Sequence, residues 1–175
     1  MLREATRMAG VAPNAAYRHF ADRQALLAAV SAAAMAALAD AIEAELAEVK
    51  ASGPKRRARA RLRAVGVGYV RFARAEPGLF RTAFSVPADM ATATDPAKAG
   101  ATSLLTPFQL LGGTLDELVA AGAMPVARRP GAEFLAWSAV HGLAMLLIGG
   151  PLRAVDETGV AAVVDRLVGM VERGL

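Results

Sequence analysis

The side chains in this sequence with the most to offer chemically lie between positions 14 and 23, where Asn14, Tyr17, Arg18, His19 and Arg23 gather hydrogen-bond donors and cations. Tyr17, Arg18 and His19 can donate to phosphate oxygens, contacts that position a protein on nucleic acid without reading its sequence. Asn14, with Ala15 beside it, can form the paired hydrogen bonds that an adenine edge offers. Arg23 can reach a further phosphate. Catalysis has less to draw on. The chain has two histidines, His19 and His141, and no cysteine, which excludes disulfides, thiolate nucleophiles and Cys-based zinc sites. The sequence contains no Ser-His-Asp order, phosphate loop or metal-ligand spacing. No catalytic residue, metal or cofactor is therefore expected.

Presenting Asn14, Ala15 and Arg18 together requires a helix, and presenting that helix to a duplex requires a tight turn before it. Leu2–Ala9 reads as a short helix ended by Gly10, whose backbone tolerates positive φ. Val11 can fill the angle between the helices, and Pro13–Phe20 reads as the second helix, with Pro13 suited to its first turn. Ala16 and Phe20 then face inward. This is a helix-turn-helix pattern, and the same residues also fit an ordinary helical hairpin with a polar surface. Asp22 has the features of an N-cap for a long helix over Arg23–Lys50, along which Leu26, Leu27, Val30, Leu38, Ile42, Leu46 and Val49 keep helical spacing.

Downstream, Ser52-Gly53-Pro54 breaks the chain. Helices are expected over Lys55–Ala75, Gly78–Phe84, Ala99–Ala121 (with a bend at Gly112-Gly113), Gly131–Ile148 and Asp156–Arg173, and loops over Ser85–Pro96 and Met124–Pro130. No strand alternation and no internal repeat is found, so the fold class is all-α. Hydrophobic residues make up 55% of the chain and aromatics 5%, which predicts a core of Ala, Leu and Val in helices. A net charge of +4 suits an anionic partner without proving one. The apolar runs Ala28–Ala39 and Leu143–Ile148 fall short of the ~20 residues of a membrane span, and Met1 is followed by charged Arg3, Glu4 and Arg7. A soluble, cytoplasmic protein with no membrane partner is expected.

The order Ala9-Gly10-Val11, Tyr17-Arg18-His19-Phe20 and Asp22-Arg23-Gln24-Ala25-Leu26-Leu27 resembles the TetR family of bacterial repressors. Trp137-Ser138-Ala139-Val140-His141-Gly142 resembles the Trp…His-Gly signature of its WHG-type C-terminal domain, and Ala75-Glu76-Pro77-Gly78-Leu79-Phe80 the turn before the short sixth helix of that branch. The resemblance implies a DNA-binding head over residues 1–30, continuing into a connecting helix to about residue 50, and a ligand-binding and dimerisation body over residues 51–175. It implies a regulator, most simply a repressor, that binds palindromic double-stranded DNA as a homodimer through Asn14, Ala15, Tyr17, Arg18, His19 and Arg23. It also implies release from DNA by a small apolar or aromatic effector.

The sequence departs from the family at its start, because Met1 stands where the family's second helix begins. The head is thus expected to lack its first helix, through truncation or as a native start, and to have little operator affinity. A rival reading is a helical small-molecule-binding dimer module with weak or no DNA binding. Ala5 and Ala16 also stand where the family has larger residues.

Candidate effector contacts are Tyr69, Phe84, Phe108, Leu111, Trp137, His141 and Met145, with Phe72 and Phe80 nearby. Each also fits plain core, and His141 fits a core histidine bonded to backbone or water. Apolar walls of this kind suit an apolar or aromatic ligand carrying one or two polar atoms. The last two helices carry more apolar residues than one small core absorbs, and Leu143, Leu147, Val160, Val164, Leu167 and Val171 are expected at a dimer interface. The basic run Lys55, Arg56, Arg57, Arg59, Arg61 and Arg63 reads as a solvated face far from the head, with Glu45 or Glu48 as acidic partners.

Overall fold

The computed structural model describes Arg7, Gly10, residues 18–86 and residues 89–174. Among them are six α-helices and no strand: α1 (Arg23–Ala47), α2 (Pro54–Ala75), α3 (Pro77–Ala83), α4 (Pro107–Ala120), α5 (Ala132–Gly149) and α6 (Glu157–Gly174). The all-α expectation is met.

Asp22 starts α1 as its residue type predicts. Its backbone is extended, and its side chain accepts from the Ala25 amide at 2.8 Å, satisfying one of the orphan donors of the first turn. Ser31, Ala34, Leu38, Ala39, Ile42 and Leu46 recur at helical spacing and are the buried face of α1. Pro54 opens α2 in the position where its missing N–H costs nothing. This helix is the hub of the bundle and packs against all five others. It is buried at Leu62, Val65, Tyr69, Val70, Phe72 and Ala73.

The crossing of α1 and α2 is set at Gly68. A Cβ there would lie 2.8 Å from the Ile42 Cα and 2.9 Å from the Ala41 carbonyl oxygen, so the two backbones meet where only hydrogen separates them. Short α3 lies against α1, and the Ser31 hydroxyl donates to the Ala83 carbonyl at 2.8 Å.

The helix expected over Ala99–Ala121 begins only at Pro107. Residues 100–106 form a turn in which Leu104 has φ 58° and is 74% exposed. Thr106-Pro107-Phe108-Gln109 starts the helix with a capping box: the Thr106 hydroxyl accepts from the Gln109 amide at 3.3 Å, and the Gln109 side chain accepts from the Thr106 amide at 2.9 Å. The residue before a proline is held out of the helical region, which fixes the boundary. From there α4 runs unbroken through Gly112-Gly113.

The turn itself is fastened to α1. Asp40 accepts from the Ala101 amide at 2.7 Å, and Glu43 accepts from the amides of Thr102 (3.2 Å) and Ser103 (3.0 Å) and from the Ser103 hydroxyl. Burial pushes the Glu43 carboxyl up, but the Ser103 and Thr102 hydrogen bonds together outweigh it and hold the group below its ordinary value.

By length and composition, α1 and α5 are each apolar enough to cross a membrane. The shorter runs read from the sequence missed this because alanines and small residues extend them. Both helices also contribute fully buried residues to the bundle, Leu38, Ala39 and Ile42 from one and Ala132 and Ala144 from the other.

Candidate functional site: an aromatic-walled cavity

A cavity of about 130 Å³ lies between α1, α2, α4, α5 and α6. Its wall begins with α1, whose inward stripe contributes Met35, Leu38 and Ile42. Leu62, Val65 and Tyr69 come from α2, one helical turn apart. Phe108 and Leu111 of α4, Trp137 of α5 and Leu167, Val168 and Val171 of α6 close the other sides. Phe84, just after α3, completes the aromatic part, with Met90, Thr92 and Lys98 at the rim.

The rings are packed on one another. Phe84 lies 6.1 Å from Trp137 and 6.4 Å from Tyr69, and Phe108 lies 6.3 Å from Trp137, centroid to centroid. Phe80, fully buried, meets Tyr69 edge-on at 5.3 Å and stacks on His141 at 5.5 Å. Such offset and edge contacts fix ring orientation beyond simple burial.

One polar chain runs through this cluster. The Trp137 Nε1–H donates to the Tyr69 hydroxyl at 3.1 Å, and that oxygen lies 2.8 Å from His141 Nδ1. Burial pushes the Tyr69 hydroxyl well above its ordinary value, and burial lowers His141. Both are therefore neutral near pH 7. With Trp137 donating to its oxygen, the Tyr69 O–H is free to donate to a neutral Nδ1. The chain presents dipoles and no net charge.

Of the expected effector contacts, Tyr69, Phe84, Phe108, Leu111 and Trp137 do line the cavity. His141 stands behind Tyr69 and touches the cavity through it. Met145 does not belong. It is 41% exposed on the outer side of α5, because eight residues after Trp137 the helix has turned its side chain by roughly 80°.

Four of the residues expected at a dimer interface lie in the chain's own core: Leu143, Leu147, Val160 and Val164 are each buried among α2, α5 and α6. Leu167 and Val171 line the cavity instead. The outward stripes carry Leu135, Met145 and Leu146 on α5, with exposed Ser138 and Gly142 between them, and Val163 and Met170 on α6.

The N-terminal candidates divide. Arg18 and His19 are exposed in a helical segment and Arg23 is exposed at the start of α1. Gly10 has the positive φ expected of the turn, 67°. Asn14, Ala15 and Tyr17 lie outside the described residues.

The basic run on α2 finds its acids elsewhere than expected. Arg59 pairs with Glu172, Arg61 with Glu117 at 2.7 Å and Arg63 with Asp165 at 2.6 Å, while Glu45 pairs with Arg71 and Glu48 with Lys50 at 3.9 Å. These partners come from α4 and α6, far away in sequence. Lys98, Met35 and Thr106 were also missed. The one available signal was the Thr-Pro-Phe-Gln capping box, which places Phe108 in the first turn of α4.

The sequence matches the family model described as "Tetracyclin repressor-like, C-terminal domain" over residues 62–171, more than half of the chain. No curated protein matches it. Among solved structures it is similar to a protein with unknown function from Rhodococcus sp. RHA1, with 29% sequence identity and a TM-score of 0.67. That similarity covers 100% of this chain and 84% of the other.

Proposed function

This chain belongs to the TetR family by its C-terminal domain, and from that premise we propose that it is a ligand-responsive transcriptional repressor. In this reading it binds palindromic DNA as a cytoplasmic homodimer and is released by a small apolar or aromatic effector. Residues 51–175 hold the dimer contact and, together with α1, the effector. The segment before α1 and the first residue of α1 hold the DNA contact, with Asn14, Ala15, Tyr17, Arg18, His19 and Arg23 on the duplex.

The observation that carries this reading is that α1 belongs to both parts. Met35, Leu38 and Ile42 are cavity wall, and the same helix leads directly back to Arg18, His19 and Arg23. At 1.5 Å per residue its 25 residues span about 37 Å, so a small tilt at the cavity becomes a displacement of several Å at the far end. Paired recognition helices must sit ~34 Å apart, one turn of DNA, to meet two half-sites. A ligand that favours one tilt of α1 therefore shifts the population between DNA-competent and DNA-incompetent dimers. Asp40 and Glu43 tie the turn at residues 101–103, just before the cavity-lining Thr106, Pro107 and Phe108, to the same helix.

The Trp137–Tyr69–His141 chain supports assignment to the WHG-type branch, since it gives the tryptophan and histidine of that signature a joint role at the cavity wall. The exposed apolar stripes on α5 and α6 support a two-fold contact between copies; the small residues Ser138 and Gly142 would let two α5 helices approach closely.

The test is fluorescence anisotropy of the gene's own upstream DNA titrated with the full-length gene product. The expected result is a Kd of about 10⁻⁸ M or lower at physiological salt, against 10⁻⁴–10⁻⁶ M for unrelated DNA. Equal affinity for both DNAs overturns the reading.

A further inference from the structure

The cavity has one cationic side chain on its rim, Lys98, and its environment defines a ligand class narrower than an apolar effector. Lys98 closes the 3-10 turn Pro96–Lys98 and points back across the loop, where its Nζ donates to the Thr92 carbonyl at 2.9 Å and to the Thr92 hydroxyl at 2.8 Å. Both acceptors are neutral. Among the described residues Lys98 makes no ion pair. An ammonium has three donors, so one N–H remains for a group in the cavity mouth. The same rim carries one carboxylate, Asp89, which caps the turn Met90–Thr92 by accepting from the Ala91 amide at 3.1 Å and makes no ion pair with Lys98.

The interior sets the other half of the ligand. At about 130 Å³ the cavity approaches the ~150 Å³ that holds a benzene molecule in a dry protein core. Tyr69, Phe84, Phe108 and Trp137 offer ring faces and edges to whatever fills it. We propose that the ligand is a single-ring aromatic carboxylate, its ring seated among these four residues and its carboxylate on the free N–H of Lys98. This rests on the reading of the cavity as the effector site. The neutral Tyr69–His141 pair adds no cation, so Lys98 is the one cationic side chain the lining offers an anionic group.

The chain contains one tryptophan, and Trp137 lines the cavity, so its fluorescence reports occupancy directly. Benzoate, benzamide and toluene, which share a ring and differ in their substituent, are titrated into the full chain and into the Lys98→Gln and Lys98→Arg variants. Benzoate is expected to bind the unaltered chain at least about tenfold tighter than benzamide, the discrimination that a charge-assisted hydrogen bond supplies. Lys98→Gln brings that ratio to about one while toluene affinity is retained, and Lys98→Arg keeps the preference. Equal affinity of benzoate and benzamide for the unaltered chain overturns the assignment of Lys98 and leaves the cavity reading standing. So does a benzoate preference that persists in Lys98→Gln. If none of the three probes alters Trp137 emission at millimolar concentration, the cavity reading itself fails and this proposal with it.

Discussion

Tyr69→Phe removes one oxygen and leaves two neighbours without a partner, which makes it the sharpest probe of the cavity wall. Tyr69 is 4% exposed. Its hydroxyl accepts from Trp137 Nε1 at 3.1 Å and faces His141 Nδ1 at 2.8 Å, so the substitution strands a donor and an acceptor. A stranded buried polar group costs about 1–3 kcal/mol. Trp137 and His141 are only half-buried, which puts each near the lower end and the sum near about 2 kcal/mol. For a chain of this size that lowers the melting midpoint by about 4–8 °C. The freed indole N–H gives a second signal, a shift of Trp137 emission to shorter wavelength.

The pH dependence separates the hydroxyl from burial. Burial lowers His141, so the folded state binds this proton less readily than the unfolded one. The associated stability is complete above the unfolded value of about 6.5 and is lost as pH falls through the lower folded value. The melting midpoint should therefore decline as pH falls below about 6.5. The decline should persist in Tyr69→Phe, because burial causes the shift, and should be absent in His141→Gln. A Tyr69→Phe variant that melts within about 1 °C of the parent with unchanged Trp137 emission would refute the polar chain as a structural unit.

Four further substitutions test the frame around the cavity and the outer face of α5. Gly68→Ala drives a methyl into the backbone of α1; overpacking of this kind costs about 1–3 kcal/mol, more than the ~1 kcal/mol of helix propensity it returns. Calorimetry should show a lower midpoint, whereas Gly113→Ala, whose Cβ meets nothing, should raise it. Glu43→Gln removes the charge that Thr102 and Ser103 hold. Glu43 is depressed in the folded state, so its contribution is present above the ordinary carboxylate value of 4.5 and fades as pH falls below it. The variant should lose about 0.5–1 kcal/mol at pH 7 after solvent screening, with the difference from the parent narrowing on acidification. Leu146→Glu places a charge in the exposed stripe of α5 and should convert the proposed dimer to monomer in sedimentation at micromolar concentration without changing the stability of the isolated chain by more than about 0.5 kcal/mol.

Local chemistry was legible in the sequence wherever it decided structure alone. Asp22 was recognisable as a cap, Gly10 as a turn with positive φ, and Tyr69, Phe84, Phe108, Leu111 and Trp137 as a set with a shared destination. Four features were not. Helix α5 is apolar on nearly every side, so periodicity could not say which stripe faces the chain's own core, and Leu143 and Leu147 were assigned outward when α2 and α6 bury them. The stretch Ala99–Leu105 is apolar enough to read as helix, but its amides are claimed by Asp40 and Glu43 some sixty residues earlier, a pairing no local pattern encodes. The acids that neutralise Arg59, Arg61 and Arg63 are equally remote, on α4 and α6. Lys98 drew no notice as a lone cation in a loop; its meaning comes only from the cavity it borders.

The proposed mechanism couples occupancy of the cavity to the DNA through α1. Its most direct test is the affinity of the full-length protein for its upstream DNA, measured by anisotropy with and without a saturating ligand whose seat in the cavity is established by Trp137 quenching. Coupling of ordinary size predicts that the ligand weakens DNA binding at least about fivefold, and that DNA weakens ligand binding by the same factor. Identical DNA affinity in the empty and the occupied protein would contradict it.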